Sequence, residues 1–590
     1  MSQELNWTIG GAAGTGIDSA GKVLALALTR AGLNVFTNSE FASQIRGGHN
    51  FYRVRAAQEK HLECHKNFSD ILIVLDKLSI EMHITQVVDG GILFYDEDVI
   101  KLDDIKVPAN IKMAHLPLKK MAEEAGSPIL RNTIAVGATL GMLGIGLEIF
   151  KQILSEQFAK KGEELVKKNF IAADLGYNYA KDNFAEGFHI ELKEAPREVP
   201  HMLITGNEAL VLGALKGGCT FVAEYPMTPS SSILTLMAKY GKPYNIVVKH
   251  TEDEIAAVNM LIGAGWVGAR ALTATSGGGF SLMSEAIGLA GQAEVPIVIV
   301  NVQRPGPSTG LPTRSGQGDL RLVMHASQDD LPRFVIAPGD KDECFFLTHE
   351  ALNLAEKYQC PAIVLSDKYL AETIQAIPQW ETDHLSIDRG KVLTEAEIAK
   401  MEDFKRYQDT EDGVSPRSIP GQAKGMYTAT SNEHDEYGDI CEDAPNRTKM
   451  QSKRMRKIEH ALKELPAPKL VGDVDAEVTF VLYGSCKGAV KEAMQDLTEQ
   501  GIKSNFLQII YMTPFHATEV KEILSKCKNL ILVEANYTGQ LKGVIAENTG
   551  ILIEKFIRNF SGRPFTADEI VDGTGRILKG ETVVTIEGVI

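Results

Sequence analysis

Arg304 opens the loop Pro305-Gly306-Pro307-Ser308-Thr309-Gly310-Leu311-Pro312-Thr313-Arg314, directly after the apolar run Pro296 to Val302. Three prolines and two glycines exclude helix and strand there. The loop must therefore be shaped at the carboxyl edge of a sheet, where α/β proteins hold ligands. An arginine at that edge can grip a carboxylate with two parallel hydrogen bonds, or lie solvated on the surface. Thr228 has a similar placement, within Tyr225-Pro226-Met227-Thr228-Pro229-Ser230-Ser231-Ser232 and after the strand-like Cys219 to Ala223. Pro229 biases it away from helix, and Ser230 to Tyr240 reads as a helix ended by Gly241. A hydroxyl at a strand end and helix start suits an anion, and equally suits capping the helix.

Glu254 closes Thr251-Glu252-Asp253-Glu254, which has the Thr-x-x-Glu spacing of a capping box ahead of the small-residue helix Ile255 to Ala269. Flanked by Ile255 and Ala256, the same carboxyl could instead hydrogen-bond a cofactor nitrogen, and the spacing supports both readings. Thr275-Ser276-Gly277-Gly278-Gly279 is a further strand-to-helix loop that lets a ligand approach closely. Near the start, Gly10 to Gly16 joins strand-like Leu5 to Ile9 to the amphipathic run Ile17 to Ala31. Its G-x-x-G-x-G order is not the dinucleotide fingerprint G-x-G-x-x-G, which leaves a tight turn or a phosphate cradle. Arg46-Gly47-Gly48-His49-Asn50 is a second polar loop. His61, Cys64 and His65 lack a second ligand pair at a usual zinc spacing, so no metal site is expected.

The elements that must position these residues follow an α/β rhythm. Residues 1–195 carry strand candidates at Ile71 to Leu75 and Gly91 to Tyr95 and a helix-like stretch from Leu140 to Lys168. Residues 196–377 interleave helices with buried-strand runs at Cys219 to Ala223, Asn245 to Val248, Ala271 to Thr275, Pro296 to Val302, Phe334 to Ala337 and Pro361 to Leu365. Continuous apolar strands are buried on both faces, so doubly wound parallel sheets are predicted. From 378 to 470 the periodicity fades into an irregular connection ending in a basic helix, Arg447 to Leu465. Residues 471–590 resume the pattern as a further α/β domain, with strands at Glu477 to Tyr483, Phe506 to Tyr511 and Asn529 to Val533 and a helix at Gly488 to Gln500.

Composition narrows the class. At 44% hydrophobic and 23% charged the chain is an ordinary globular protein, too long for one domain. A net charge of −16 would repel a polyanion, so nucleic acid is not an expected partner. Seven dispersed cysteines without a C-x-x-C pair can form neither a cluster loop nor a legible disulfide framework, and suit a reducing cytoplasm. No leader pattern or membrane-length apolar run is present in the sequence, so a cytosolic chain with no membrane association is expected.

Taken together and in order, Tyr-Pro-Met-Thr-Pro-Ser-Ser at 225–231, Thr-Glu-Asp-Glu at 251–254, Thr-Ser-Gly-Gly-Gly at 275–279 and Gln-Arg-Pro-Gly-Pro-Ser-Thr-Gly-Leu-Pro-Thr at 303–313 resemble the alpha subunit of 2-oxoacid:ferredoxin oxidoreductases. Gly-Gly-Ala-Ala-Gly-Thr-Gly at 10–16 and Ser-Gln-Ile-Arg-Gly-Gly-His-Asn at 43–50 look like the family's gamma domain fused ahead of alpha, as in 2-oxoglutarate-type members. Glu-His-Asp-Glu-Tyr-Gly at 433–438 and Val-Glu-Ala-Asn-Tyr-Thr-Gly-Gln at 533–540 extend the match over nearly the whole chain.

That resemblance implies a central pyrimidine-binding-type domain, a C-terminal transketolase-C-like domain, and oxidative decarboxylation of a 2-oxoacid with coenzyme A and ferredoxin. Thiamine diphosphate would carry the carbon chemistry. By matched position Glu254 would bond the aminopyrimidine ring and favour its imino form, while Thr228, Arg304 and Thr313 would hold the substrate's carboxylate and keto groups. The family holds magnesium and diphosphate with a Gly-Asp-Gly segment, which this sequence lacks, and the cysteines cannot supply a cluster. The resemblance thus assigns magnesium and a 4Fe-4S cluster to a beta subunit, in a heteromer doubled to alpha2beta2 and inactive without beta. The fused architecture and the loop after Arg304 point to 2-oxoglutarate, with pyruvate, a branched-chain acid or a broad range of 2-oxoacids as the alternative.

Overall fold

A computed structural model describes residues 3–43, 48–102, 104–195 and 197–588. Three sheets organise it. The second is the one that bears on the residues above: its spatial order is Tyr511–Thr513, Phe334–Ile336, Pro361–Asp367, Ile297–Gln303, Ala271–Thr275, Phe221–Glu224, Val247–His250. All neighbours are parallel except the edge pair of Tyr511–Thr513 with Phe334–Ile336. Every residue of Ile297–Gln303 and Pro361–Asp367 is buried, which is why both begin with continuous apolar runs and turn polar only toward their carboxyl ends. Helices pack on both faces, so loops leaving the carboxyl ends of Phe221–Glu224, Ala271–Thr275 and Ile297–Gln303 emerge side by side.

The third sheet, Leu470–Gly472, Ser504–Gln508, Val478–Leu482, Asn529–Glu534, Lys555–Asn559 and Val583–Ile586, is parallel apart from its first edge pair. The first sheet departs from the parallel expectation. Its order is Lys112–His115, Val87–Tyr95, Ser69–Val74, Glu4–Ala12, His49–Ala57, Asn34–Glu40, Ile374–Pro378, His201–Thr205. Glu4–Ala12 is parallel to Ser69–Val74 but antiparallel to His49–Ala57, and the next three pairings are antiparallel too. The sequence reading missed five strands of this sheet, among them two whose apolar residues are interleaved with buried polar ones: Asn34–Glu40 and His49–Ala57 bury Asn38, Glu40, Arg53 and Arg55. The two outermost strands, 201–205 and 374–378, come from segments that flank the second sheet in sequence.

The single helical stretch expected from Leu140 to Lys168 is divided. Gly144 and Gly162, both at positive φ, separate helices Arg131–Leu143, Leu147–Phe158 and Glu163–Phe184. Residues 379–443 are irregular except for the short helix Glu395–Lys400. This connection is tied to the basic helix, Ala444–Leu462, by buried charge. Arg454 meets Glu433 of the connection at 2.6 Å, while the fully buried Lys453 and Lys457 fasten the same helix to Glu294, just after the helix Ser284–Gln292, at 2.6 and 2.5 Å. The lysines hold the Glu294 carboxyl below its usual range against the opposing effect of its burial. Among the described residues, no helix is long and apolar enough to cross a membrane.

Candidate functional site

Glu254 is the first residue of the helix Glu254–Trp266, and the expected capping box is not formed. The cap is Asp253, whose carboxylate accepts from the Ala256 N–H at 2.7 Å, while the Thr251 hydroxyl donates to the Asp253 carbonyl at 3.0 Å. Glu254 is thereby released from capping and turned inward. It is buried between the exposed Asp253 and Ile255, and its Oε1 has no hydrogen-bond partner. Burial pushes its carboxyl pKa up and Asp253 adds to the rise, with only its own backbone N–H opposing. A buried carboxyl with a free oxygen and a raised pKa is suited to share a proton with a ligand nitrogen.

The space in front of Glu254 is made by glycine. A Cβ at Gly279 would overlap the Glu254 carboxylate and the Thr275 hydroxyl, and one at Gly277 would overlap the Asp319 carboxylate. Two carboxyl groups therefore press on the same Gly277-Gly278-Gly279 turn from different sides. Thr275 also contacts the Met227 sulfur at 3.9 Å, which joins this turn to the segment carrying Thr228.

Arg304 and Thr228 are brought together. The Arg304 Nη1 donates to the Thr228 carbonyl at 2.7 Å, so the arginine is aimed by main chain. Its other N–H groups and the Thr228 hydroxyl have no hydrogen bond among the described residues. Burial lowers the Arg304 pKa while the nearby Asp319 charge opposes that. Thr313 is buried in the same loop, but no bond joins it to Arg304 or Thr228. Arg46 and Gly47 of the second polar loop lie outside the described residues. In the first glycine loop Gly14 and Gly16 have positive φ, as a tight turn requires, and the Asn132 amide donates to the Thr15 carbonyl against Gly16. Cys64 and His65 are buried, the latter hydrogen-bonded to Tyr369, and no metal-holding group of three ligands occurs among the described residues.

Two acidic residues of this region escaped the sequence reading. Asp319 accepts from the Asn301 amide at 3.2 Å, and its N–H donates to Gln303 Oε1 at 3.0 Å; both partners are on the strand that leads to Arg304. Burial raises its carboxyl to about 6, with Asn301 and the Arg304 charge pulling the other way. Glu224 is fully buried, and burial holds its pKa well above the carboxylate range. The signal for Glu224 was its place as the last residue of a strand read one residue short; for Asp319 it was an acid closing a glycine-rich loop.

Residues 212–453 match the family described as pyruvate flavodoxin/ferredoxin oxidoreductase, thiamine diphosphate-binding. Residues 6–179 match pyruvate ferredoxin/flavodoxin oxidoreductase, and 476–570 match pyruvate:ferredoxin oxidoreductase core domain II. The 2-oxoacid:ferredoxin oxidoreductase subunit alpha of Saccharolobus solfataricus is 34% identical over 644 residues, 99% of each chain. The 2-oxoglutarate synthase subunit KorA of Methanothermobacter thermautotrophicus is 33% identical over 62% of this chain and 96% of its own. Among solved structures, the 2-oxoglutarate:ferredoxin oxidoreductase from Magnetococcus marinus, with 2-oxoglutarate, coenzyme A and succinyl-CoA bound, superposes with a TM-score of 0.91 at 33% identity, over 98% of this chain and 100% of that one. The unit containing Glu254 and Arg304 is thus a thiamine diphosphate-binding domain of an oxidoreductase. The chain belongs to the 2-oxoacid:ferredoxin oxidoreductase family, as an alpha subunit. The unpaired Glu254 oxygen and the cradle kept open by Gly279 fit that cofactor's need for a carboxyl on its ring.

Proposed function

We propose that this chain supplies the 2-oxoacid-binding and proton-handling half of a 2-oxoglutarate:ferredoxin oxidoreductase, converting 2-oxoglutarate, coenzyme A and oxidised ferredoxin to succinyl-CoA, carbon dioxide and reduced ferredoxin. The observation that carries the reading is the buried Glu254 oxygen, without a partner among the described residues, at the same carboxyl edge of the second sheet as an arginine with free N–H groups. Thiamine diphosphate, when bound, supplies the electron sink for loss of carbon dioxide. Glu254 would hold its ring and pass a proton at Oε1. Arg304 would bind the substrate carboxylate with the N–H groups that Thr228 leaves free, and the hydroxyls of Thr228 and Thr313 would orient the keto group.

A beta subunit would close the site. Next to Glu254, Ile255 is 49% exposed, and Leu282, at the end of the helix Gly277–Leu282 that the three glycines open, is 52% exposed. Apolar side chains of this size around a buried acid suit burial by a partner, which would bring magnesium and the 4Fe-4S cluster. The choice of 2-oxoglutarate draws support from the Magnetococcus marinus structure and the KorA relatives. The broader name of the relatives that match 99% of the chain favours a second reading, a wider 2-oxoacid range.

The test is anaerobic coexpression with a beta subunit and viologen reduction on a panel of 2-oxoacids with thiamine diphosphate, magnesium and coenzyme A. Coenzyme A-dependent reduction with 2-oxoglutarate supports the proposal. Turnover confined to pyruvate overturns the substrate, and comparable rates on several acids establish the second reading.

A further inference from the structure

The motif Val533 to Gln540 lies on the third sheet, away from the groups above, yet its side chains reach the loop that carries Thr313 and Asp319. Glu534, fully buried, accepts from the Asn536 amide at 2.6 Å and from the Leu541 N–H at 3.0 Å, which orients Asn536. The same Asn536 amide donates to the Gln317 carbonyl at 2.8 Å. The Ala535 N–H donates to Gln317 Oε1 at 2.9 Å, and the Gln317 N–H returns to the Ala535 carbonyl at 2.8 Å. Tyr483 completes the enclosure: its hydroxyl donates to the Gln317 carbonyl at 3.2 Å, and its own carbonyl accepts from Gln317 Nε2 at 3.1 Å. One step further, Gln540 donates to the Gly318 carbonyl at 2.7 Å and accepts from the Arg321 N–H at 2.9 Å.

The other end of the loop is held as firmly. Glu40, from the first sheet, sits between Arg314 at 3.1 Å and Arg563 at 3.2 Å, and the Ser315 N–H donates to the Gly562 carbonyl at 3.1 Å. Residues 313–319 have neither helix nor strand to fix their course. Their position is therefore imposed from outside, and most of the imposing bonds come from the third sheet. Each bond is modest by itself, but together they engage the backbone and both side-chain ends of Gln317.

We infer that Gln317, Asn536 and Gln540 are positioning residues for 2-oxoacid binding: the C-terminal unit acts through the loop, setting the course of the segment that carries Thr313 and places Asp319 near Arg304. This rests on the assignment of Arg304 and Thr313 to substrate. It gives the Val533 to Gln540 motif a task, since its polar side chains would otherwise be unneeded at a plain packing interface.

The experiment measures steady-state viologen reduction by the assembled complex for Asn536→Ala, Gln540→Ala and Arg304→Ala, with melting temperature and thiamine diphosphate content determined for each. Expected for Asn536→Ala and Gln540→Ala is a KM for the 2-oxoacid raised about 5- to 20-fold, with kcat and the KM for coenzyme A changed less than about twofold. Gln540 is only partly buried, so its variant decides the matter if Asn536→Ala does not fold. The inference is overturned if folded, cofactor-loaded variants keep the wild-type KM, or if activity falls only in proportion to folded protein. Arg304→Ala separates the two levels: an unchanged 2-oxoacid KM there removes the underlying site reading, whereas a raised KM there beside normal Asn536 and Gln540 variants removes only the positioning role.

Discussion

Arg304 donates to the carbonyl of Thr228, not to its hydroxyl, at 2.7 Å. The strand end that bears the threonine thus aims the guanidinium and leaves both the hydroxyl and the rest of the fork free for a ligand. A lysine could still reach the carbonyl but could not present two parallel donors as well. Arg304→Lys is expected to raise the KM for the 2-oxoacid by about 10- to 100-fold, the worth of one charged hydrogen bond, with thiamine diphosphate content unchanged. Steady-state kinetics on the assembled complex checks this, and an unaltered KM would exclude the arginine from substrate binding.

Glu254 should act through its proton and not through its shape. Glu254→Gln keeps the volume and one acceptor but cannot release a proton, so kcat is expected to fall by about 10²- to 10⁴-fold. The melting temperature should hold or rise, because an amide replaces a carboxyl that burial disfavours in its charged form. A variant retaining more than about a tenth of wild-type kcat is incompatible with that role.

Gly279 offers a test by crowding. Adding a methyl there would press on both the Glu254 carboxylate and the Thr275 hydroxyl. Gly279→Ala is expected to reduce thiamine diphosphate affinity and kcat together, while Gly278→Ala, where the added Cβ meets nothing, should change neither. Equal effects at the two positions would mean that chain flexibility, and not the room in front of Glu254, is what the glycines provide.

How much of this could be read beforehand depends on what each residue signals locally. The second sheet was legible because its strands open on continuous apolar runs, Ile297 to Val300 and Pro361 to Leu365. Asn34–Glu40 and His49–Ala57 were not, because their buried positions hold Arg53, Arg55 and Glu40, whose partners are remote in sequence; Arg55 pairs with Glu492 at 2.7 Å. At the site, Glu254 and Arg304 stood out by residue type and by the loops around them. The cap at Asp253 was hidden because Thr251-x-x-Glu254 has the same spacing as a capping box. Gln317 was invisible for a different reason: its partners Asn536 and Tyr483 meet it only once the second and third sheets pack.

Glu534 predicts an unusual pH dependence of stability. Burial raises its carboxyl from 4.5 to about 7, outweighing the Asn536 and backbone bonds that lower it. A group whose pKa is higher folded than unfolded binds its proton more tightly in the folded chain. Its contribution is complete below pH 4.5 and is lost as pH rises through about 7. At about 1.4 kcal/mol per pKa unit this amounts to something on the order of 3–4 kcal/mol. Asp319, raised to about 6, acts in the same direction over the range just below. Glu433, held near 2 by Arg454 and Arg447 against its own burial, acts oppositely but only in strong acid, so it does not mask the effect between pH 6 and 8. Burial lowers Lys453 to about 7 and Lys341 to about 8, and both act oppositely as pH rises, so the effect of Glu534 is read as a difference: Glu534→Gln, neutral throughout, should gain in melting temperature relative to wild type from pH 6 to pH 8 and melt higher than wild type at pH 8. Differential scanning calorimetry of the assembled complex at both pH values decides it: parallel curves for the two proteins would mean that Glu534 is already ionised in the folded chain at pH 6.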